Sequence, residues 1–206
     1  MEVKAFIYNS LLELAANSYL VIDSDNSCVV IDPSKNNDDI VNYIKKNNLN
    51  LKAVLLTHGH FDHIRGVNRI FKQFKAPVYI HKDDVTLLEN AKDNCSDKFS
   101  RMPIVVDIPK ESLCVVEDNA QLDLLESPIK VIHTPYHTMG SVCFYLKDNN
   151  ILFSGDSLFK GSVGRYDLPT SNVSLMRASL DKILALPKET QVYPGHGETT
   201  SIQDAL

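Results

Sequence analysis

Three histidines and an aspartate fall within six residues in Thr57-His58-Gly59-His60-Phe61-Asp62-His63. Imidazole nitrogens and carboxylate oxygens are the donors that zinc, iron and manganese accept. The run follows an apolar stretch, Leu51–Leu56, that reads as a buried strand. A strand-to-helix loop can turn all four side chains toward one point, which a regular helix or strand could not do. The bland alternative is a solvated polar turn in which Asp62 caps the next helix. It is disfavoured because the chain has seven histidines and three of them stand here.

Three further loops carry the same residue types. They are Ile132-His133-Thr134-Pro135-Tyr136-His137-Thr138, Phe153-Ser154-Gly155-Asp156-Ser157-Leu158-Phe159 and Tyr193-Pro194-Gly195-His196-Gly197. Each begins where an apolar run ends. Taken singly they are weak, since a lone histidine after a strand is more often structural than a ligand. Taken together they are specific, because the ends of several strands can converge on one edge of a folded sheet.

The elements that must position these loops alternate along the chain. Val3–Tyr8, Ser18–Ile22 and Cys28–Ile31 are strand candidates, with a turn at Asp23–Ser27. Helical spacing predicts helices over Asp38–Lys46, Asp62–Phe74, Asp83–Asn90 and Val173–Leu184. Further strands are expected at Pro77–Ile80, Leu113–Val116, Gln121–Leu125, Ile129–His133, Ser141–Leu146, Ile151–Phe153 and Gln191–Tyr193. Residues 92–101 are the most polar stretch and read as a surface loop. Strands mixed with helices in this way suggest two sheet layers with helices outside. A length of 206 residues suits one domain, 1–206.

The motif set His58-x-His60-x-Asp62-His63, then His137, Asp156 and His196 in that order, resembles the ligand set of the metallo-β-lactamase superfamily. The resemblance covers nearly the whole chain. His133-Thr134-Pro135-x-His137-Thr138-x-Gly140-Ser141 and Gly155-Asp156-Ser157-Leu158-Phe159 look like the glyoxalase II-like (hydroxyacylglutathione hydrolase-like) branch. Gly161-Ser162-x-Gly164-Arg165-x-Asp167-Leu168-Pro169 is similar to its short, single-domain members. The resemblance implies an α+β fold, a four-layer αββα sandwich. It implies two divalent metal ions, zinc first and iron or manganese as alternatives. His58, His60 and His137 would hold one ion, Asp62, His63 and His196 the other, and Asp156 would bridge them. Asp62 and Asp156 would also orient the attacking hydroxide. Two departures from the family pattern stand out. Tyr136 replaces the usual Gly and is expected either to crowd its loop or to line the substrate mouth. The C-terminal helical domain of classical glyoxalase II enzymes is also expected to be absent, which puts glutathione specificity in question.

The activity so implied is thioester hydrolysis by a metal-bridging hydroxide, acting on a small-molecule thioester with glutathione among the carriers. No Gly-x-Ser-x-Gly nucleophile motif is present. The alternatives are a mononuclear iron persulfide dioxygenase using His58, His137 and Asp156, a lactonase or β-lactamase-type hydrolase, and a non-enzymatic metal-binding module. Redox di-iron relatives would have Glu where His60 stands. Arg165 is a candidate for binding a substrate carboxylate, with an ion pair to Asp167 as the competing reading. His133 is weighed as a group that orients a ligand against an ordinary core or surface histidine, and His81 as a surface or capping residue. The net charge of −5 and pI of about 5.8 argue against a nucleic-acid partner. No apolar stretch approaches the ~20 residues that span a bilayer. The N-terminus reads as a strand rather than a secretion signal, so the cytoplasm is the expected compartment. Cys28, Cys95, Cys114 and Cys143 form no metal or redox motif and are expected to be unpaired. The oligomeric state is left open.

Overall fold

The computed structural model describes residues 1–8 and 14–206. Strands β1 (Glu2–Phe6), β2 (Ser18–Ile22), β3 (Ser27–Ile31), β4 (Asn50–Leu55), β5 (Val78–His81) and β6 (Leu113–Val116) form one sheet in that spatial order. The first three are antiparallel neighbours and the rest pair in parallel. A second sheet contains β7 (Gln121–Leu122), β8 (Ile129–His133), β9 (Val142–Leu146), β10 (Ile151–Gly155), β11 (Gln191–Pro194) and β12 (Thr200–Ser201), again in sequential order. Here only β10 and β11 pair in parallel.

Both faces of the central strands are buried, which is why they read as unbroken apolar runs. On β2 and β3, Tyr19, Val21, Val29 and Ile31 face the second sheet and meet Val131, Val142, Phe144 and Phe153. Their alternates Leu20, Ile22, Cys28 and Val30 face outward against helices α1 (Asp39–Lys46) and α3 (Val67–Phe74) through Ile40, Ile44, Val67 and Ile70. The outer face of the second sheet presents Ile132, Cys143, Tyr145, Leu152 and Val192 to Ile183 of helix α5 (Met176–Leu184). The order is therefore helix, sheet, sheet, helix, the expected αββα sandwich.

Several boundaries differ from the sequence reading for local reasons. The apolar stripe over 62–74 is two helices, α2 (Phe61–Ile64) and α3, not one. The backbone N–H of Gly66 bonds to Pro33 O (2.7 Å), which ties the break to the loop after β3. A side chain at Gly66 would run into the carbonyls of Pro33 and Lys35. The expected helix at Asp83–Asn90 is a 3-10 helix over Lys82–Leu88, and Val173–Leu175 is 3-10 before α5 begins. The stretch 92–101 is not a simple surface loop. It includes the short helix α4 (Ser96–Phe99), and Asn94, Cys95 and Ser96 are buried. Asn94 anchors it by donating to Leu87 O (2.8 Å) and Ile104 O (2.9 Å), and by accepting from Phe61 N–H at its own carbonyl (3.0 Å). All four cysteines are free thiols. No helix among the described residues is long and apolar enough to cross a membrane.

Candidate metal centre

Four loops bring the candidate ligands to one edge of the sandwich, and a fifth, after β3, brings Asp32 to the same edge. All follow the C-terminal ends of strands that run the same way within their sheet. In the first sheet these are β3 and β4, which pair in parallel. In the second they are β8, β10 and β11. β8 and β10 are each antiparallel to β9, and β10 is parallel to β11. The two sheet edges are tied where Val142 N–H donates to Thr57 O (2.8 Å). His58, His60 and His137 form one cluster of potential metal donors, His58, His63 and Asp156 a second, and Asp62, His63 and His196 a third. Within each cluster the donor atoms lie inside 4.8 Å of one another.

Hydrogen bonds fix the tautomer of three of these rings. Thr57 Oγ1 donates to Asp32 Oδ2 (2.5 Å), so it accepts from His58 Nδ1 (3.2 Å). His63 Nδ1 donates to Asp32 Oδ2 (2.8 Å), and His137 Nδ1 donates to Arg165 O (2.7 Å). Each ring is thereby left with Nε2 as the nitrogen available to a cation, His137 Nε2 lying 2.9 Å from His60 Nδ1. The Nε2 atoms of His58, His60 and His63 and Oδ1 of Asp156 are buried without a hydrogen-bond partner. Buried polar atoms are rarely left so. A cluster of inward lone pairs with its protons held on the outside is the arrangement a cation satisfies. Asp156 reaches both sides, with Oδ1 3.3 Å from His63 Nε2 and Oδ2 3.4 Å from His137 Nε2 and 3.7 Å from His196 Nε2.

Burial divides the titration of the group. It pushes His58 well below the ordinary imidazole range, with help from the neighbouring rings, and takes His60 down to about 3, His137 adding to the effect. Burial acts the same way on His63, but the carboxylates of Asp156 and Asp32 overcome it and hold that ring well above its usual value. His196 is also raised, because its hydrogen bond to Asp62 and the Asp156 charge outweigh burial. Burial would raise Asp62 and Asp156, yet the contact with His196 keeps Asp62 low, and the charge of His63 keeps Asp156 well below the carboxylate range. Both acids are thus ionised at neutral pH.

Close backbone approach shapes the Asp156 loop. Gly155 has φ +49, and its Cα faces the Thr57 side chain with no room for a Cβ. A side chain at Gly164 would overlap the Asp156 carbonyl. The His196 loop is held by Tyr19 Oη, which donates to Pro194 O (2.6 Å), and by Asn17 Nδ2, which donates to Pro194 O (3.1 Å) and Gly197 O (3.0 Å).

The other expected residues fare differently. Arg165 lies at the edge of a cavity beside the cluster, and it also forms the competing ion pair, Nε to Asp167 Oδ1 at 2.7 Å. Tyr136 does not line the mouth: it is fully buried at 0% exposure. Its hydroxyl donates to Ser157 O (2.5 Å) and accepts from Gly164 N–H (3.2 Å), so it braces the loop that carries Asp156. It is not among the residues with positive φ, so nothing at this position demands glycine. His81 is buried rather than superficial, and it does cap, accepting from Asp83 N–H (3.3 Å). Its ring stacks on His133 at 3.9 Å and 15°. With Asp83 these two also form a donor cluster, but parallel rings do not aim their nitrogens at one point. His133 Nε2 donates to Met139 O (2.8 Å), steadying the ligand loop without touching a ligand.

Two carboxylates escaped the sequence reading. Asp32 links His63 to Thr57, as above. Asp84 is fully buried and accepts from Gly59 N–H (2.8 Å), Thr138 Oγ1 (2.7 Å) and Gly140 N–H (2.7 Å). It staples the His58–His63 loop to the His137 loop. Burial raises its pKa, and those three hydrogen bonds oppose the rise.

Comparison with known proteins agrees with this geometry. Residues 11–196 match the sequence model of the metallo-beta-lactamase superfamily. A Bacillus subtilis protein named as a probable metallo-hydrolase is 35% identical over 190 residues, 92% of this chain and 88% of that protein. A hydroxyacylglutathione hydrolase of Prochlorococcus marinus is 35% identical over 178 residues, 86% of this chain but 63% of its own length. Among solved structures, BLEG-1, described as a B3 metallo-beta-lactamase, superposes with a TM-score of 0.90 at 34% identity, covering 98% of this chain and 95% of that one. TTHA1623, described in a di-iron-bound form, gives a TM-score of 0.83 at 35% identity, covering 96% of this chain and 94% of that one.

Proposed function

Because the chain belongs to the metallo-β-lactamase superfamily, we propose that it is a metal-dependent hydrolase with two divalent ions. His58, His60 and His137 hold one, Asp62, His63 and His196 hold the other, and Asp156 reaches both. The observation that carries this reading is the gathering of these donors within 4.8 Å of one another in each cluster, with Nε2 of His58 and His63 and Oδ1 of Asp156 buried and unpartnered while the Nδ1 protons of His58, His63 and His137 are held by other groups. When bound, such a pair of ions supplies a hydroxide at neutral pH and polarises the carbonyl it attacks. Zinc is the first choice for this N/O donor set, and iron is supported by the di-iron form of TTHA1623.

The chain's own residues provide the rest. Asp32 and the Arg165 carbonyl fix the rings of His63 and His137. Asp62 and Asp156 stay ionised and supply the negative charge that balances the cations. His196 is 28% exposed and opens on the cavity, so the site can be reached from solvent. The substrate class we favour is a thioester, the class to which the substrate named for the Prochlorococcus marinus hydroxyacylglutathione hydrolase belongs. Hydrolysis breaks the acyl C–S bond, places the hydroxyl on the acyl carbon and leaves the thiol protonated. A second reading is hydrolysis of a lactam or lactone ring, favoured by the likeness to BLEG-1.

The test is hydrolysis of S-lactoylglutathione by the metal-replete protein, with oxygen uptake followed in parallel on glutathione persulfide and ring opening followed on a chromogenic cephalosporin. Thioester cleavage without oxygen uptake supports the favoured reading. Oxygen uptake without hydrolysis overturns it in favour of a dioxygenase. Cleavage of the cephalosporin alone moves the substrate to the second reading.

A further inference from the structure

The cavity beside the metal cluster has a volume of about 290 Å³. That is at the lower end of the ~300–1,000 Å³ typical of sites for drug-sized ligands. Apart from the proposed metal ligands, its walls are mostly apolar: Leu14, Phe61, Phe99, Phe159 and Leu168. Arg165 is the one cation among the described lining residues. Its guanidinium already makes a two-point contact with Asp167, Nε to Oδ1 at 2.7 Å and Nη2 to Oδ2 at 2.9 Å. A glutathione tripeptide carries two carboxylates and an ammonium group, and these walls offer little to pair them. Phe99 is 50% exposed at this cavity, with the Arg165 guanidinium 6.0 Å from its ring centroid. Its place is fixed, because α4 follows the Asn94 anchor that also holds Phe61 N–H.

From these features we infer that the site selects an ester or thioester with a compact apolar acyl group, seated against Phe61, Phe99 and Phe159, and that Phe99 determines this specificity. The inference rests on the hydrolytic reading of the site and narrows its substrate. The volume suits the acyl half, so the carrier lies toward solvent.

The experiment compares acetyl, hexanoyl and phenylacetyl thioesters of N-acetylcysteamine, with S-lactoylglutathione alongside. Independently of turnover, calorimetry compares the binding of acetohydroxamate and phenylacetohydroxamate to the zinc-loaded protein. The expected result is a kcat/KM about tenfold higher for phenylacetyl than for acetyl, the scale of discrimination an apolar pocket reaches. The hydroxamates should show the same order. Phe99→Ala should collapse both ratios, Phe99→Leu should keep most of each, and Leu184→Ala, on α5 outside the cavity, should leave them unchanged. Equal handling of the acyl groups together with equal hydroxamate affinities overturns the inference, as does a preference for lactoylglutathione over phenylacetyl. If no thioester is cleaved but the hydroxamate preference is present and lost in Phe99→Ala, the apolar acyl pocket stands and the thioesterase reading falls.

Discussion

Asp32→Asn isolates the part played by a group that touches no reacting atom. Asp32 is 2% exposed and sits at φ +48, a conformation asparagine tolerates well, so the substitution keeps shape and backbone. Its Oδ1 accepts from Thr57 N–H (2.8 Å), and Asn can retain that bond. Its Oδ2 accepts from Thr57 Oγ1 (2.5 Å) and His63 Nδ1 (2.8 Å), and there Asn presents an amide donor instead. The threonine hydroxyl can rotate to accept. The imidazole answers a donor at Nδ1 only by moving its own proton to Nε2, the atom that faces Asp156 at 3.3 Å. A protonated Nε2 cannot ligate. Losing the partner that orients a ligating histidine typically costs 10–100-fold in metal affinity, which is about 1.4–2.7 kcal/mol. The loss should fall on the ion held by Asp62, His63 and His196, so competitive titration with a chromophoric chelator should show one weakened site and one near wild-type. If both sites keep their affinity within about twofold, well inside that range, the tautomer argument is wrong.

Three further outcomes are expected. His60→Ala should abolish hydrolysis and lower metal content measured by plasma emission spectroscopy; full activity would remove His60 from the site. Tyr136→Phe deletes the hydroxyl that spans Ser157 O and Gly164 N–H, so it should destabilise by about 1–3 kcal/mol in thermal or urea unfolding and leave acyl preference alone. A changed preference with unchanged stability would return Tyr136 to the substrate mouth. Metal loading should release protons unevenly. His63 and His196 have raised pKa values, so in the metal-free protein they carry protons near pH 6.5 that a cation must displace, whereas His58 and His60 are lowered and already neutral there. Calorimetry in buffers of different ionisation enthalpy should therefore find up to two protons released from His63 and His196 as their site is loaded, and almost none from His58 and His60 at the other. That first site should also weaken first as pH falls. Equal release at both would contradict the assigned electrostatics.

Two sheet layers with helices outside were legible because strands and helices are mixed along the chain, and β2, β3, β9 and β10 are apolar on both faces, as strands covered on two sides are. The break between α2 and α3 was not. Ile64, Val67, Ile70 and Phe71 keep helical spacing straight across it, so periodicity sees one stripe. The break is set instead by a bond between Gly66 N–H and Pro33 O, thirty-three positions apart in sequence. The segment 92–101 misled for a related reason. Its polar residues suggested solvent, but Asn94 spends its side chain on buried carbonyls, and polarity satisfied internally looks the same in sequence as polarity facing water.

The seven ligand candidates were legible because each follows an apolar run, and such runs end together when strands share a direction. The same rule, applied to acids as well as histidines, points to Asp32, which directly follows Cys28–Ile31. Asp84 has no such signal. It adjoins Asp83, an identical residue in the same turn, yet Asp83 is 41% exposed and Asp84 is fully buried. What separates them is contact with Gly59, 25 positions away, and Thr138, 54 positions away. Metal ligands must offer uncommon chemistry and so stand out by type. The groups that hold the ligand loops in place need only a common carboxylate at the right point in space, and that point exists only once the two sheets have docked.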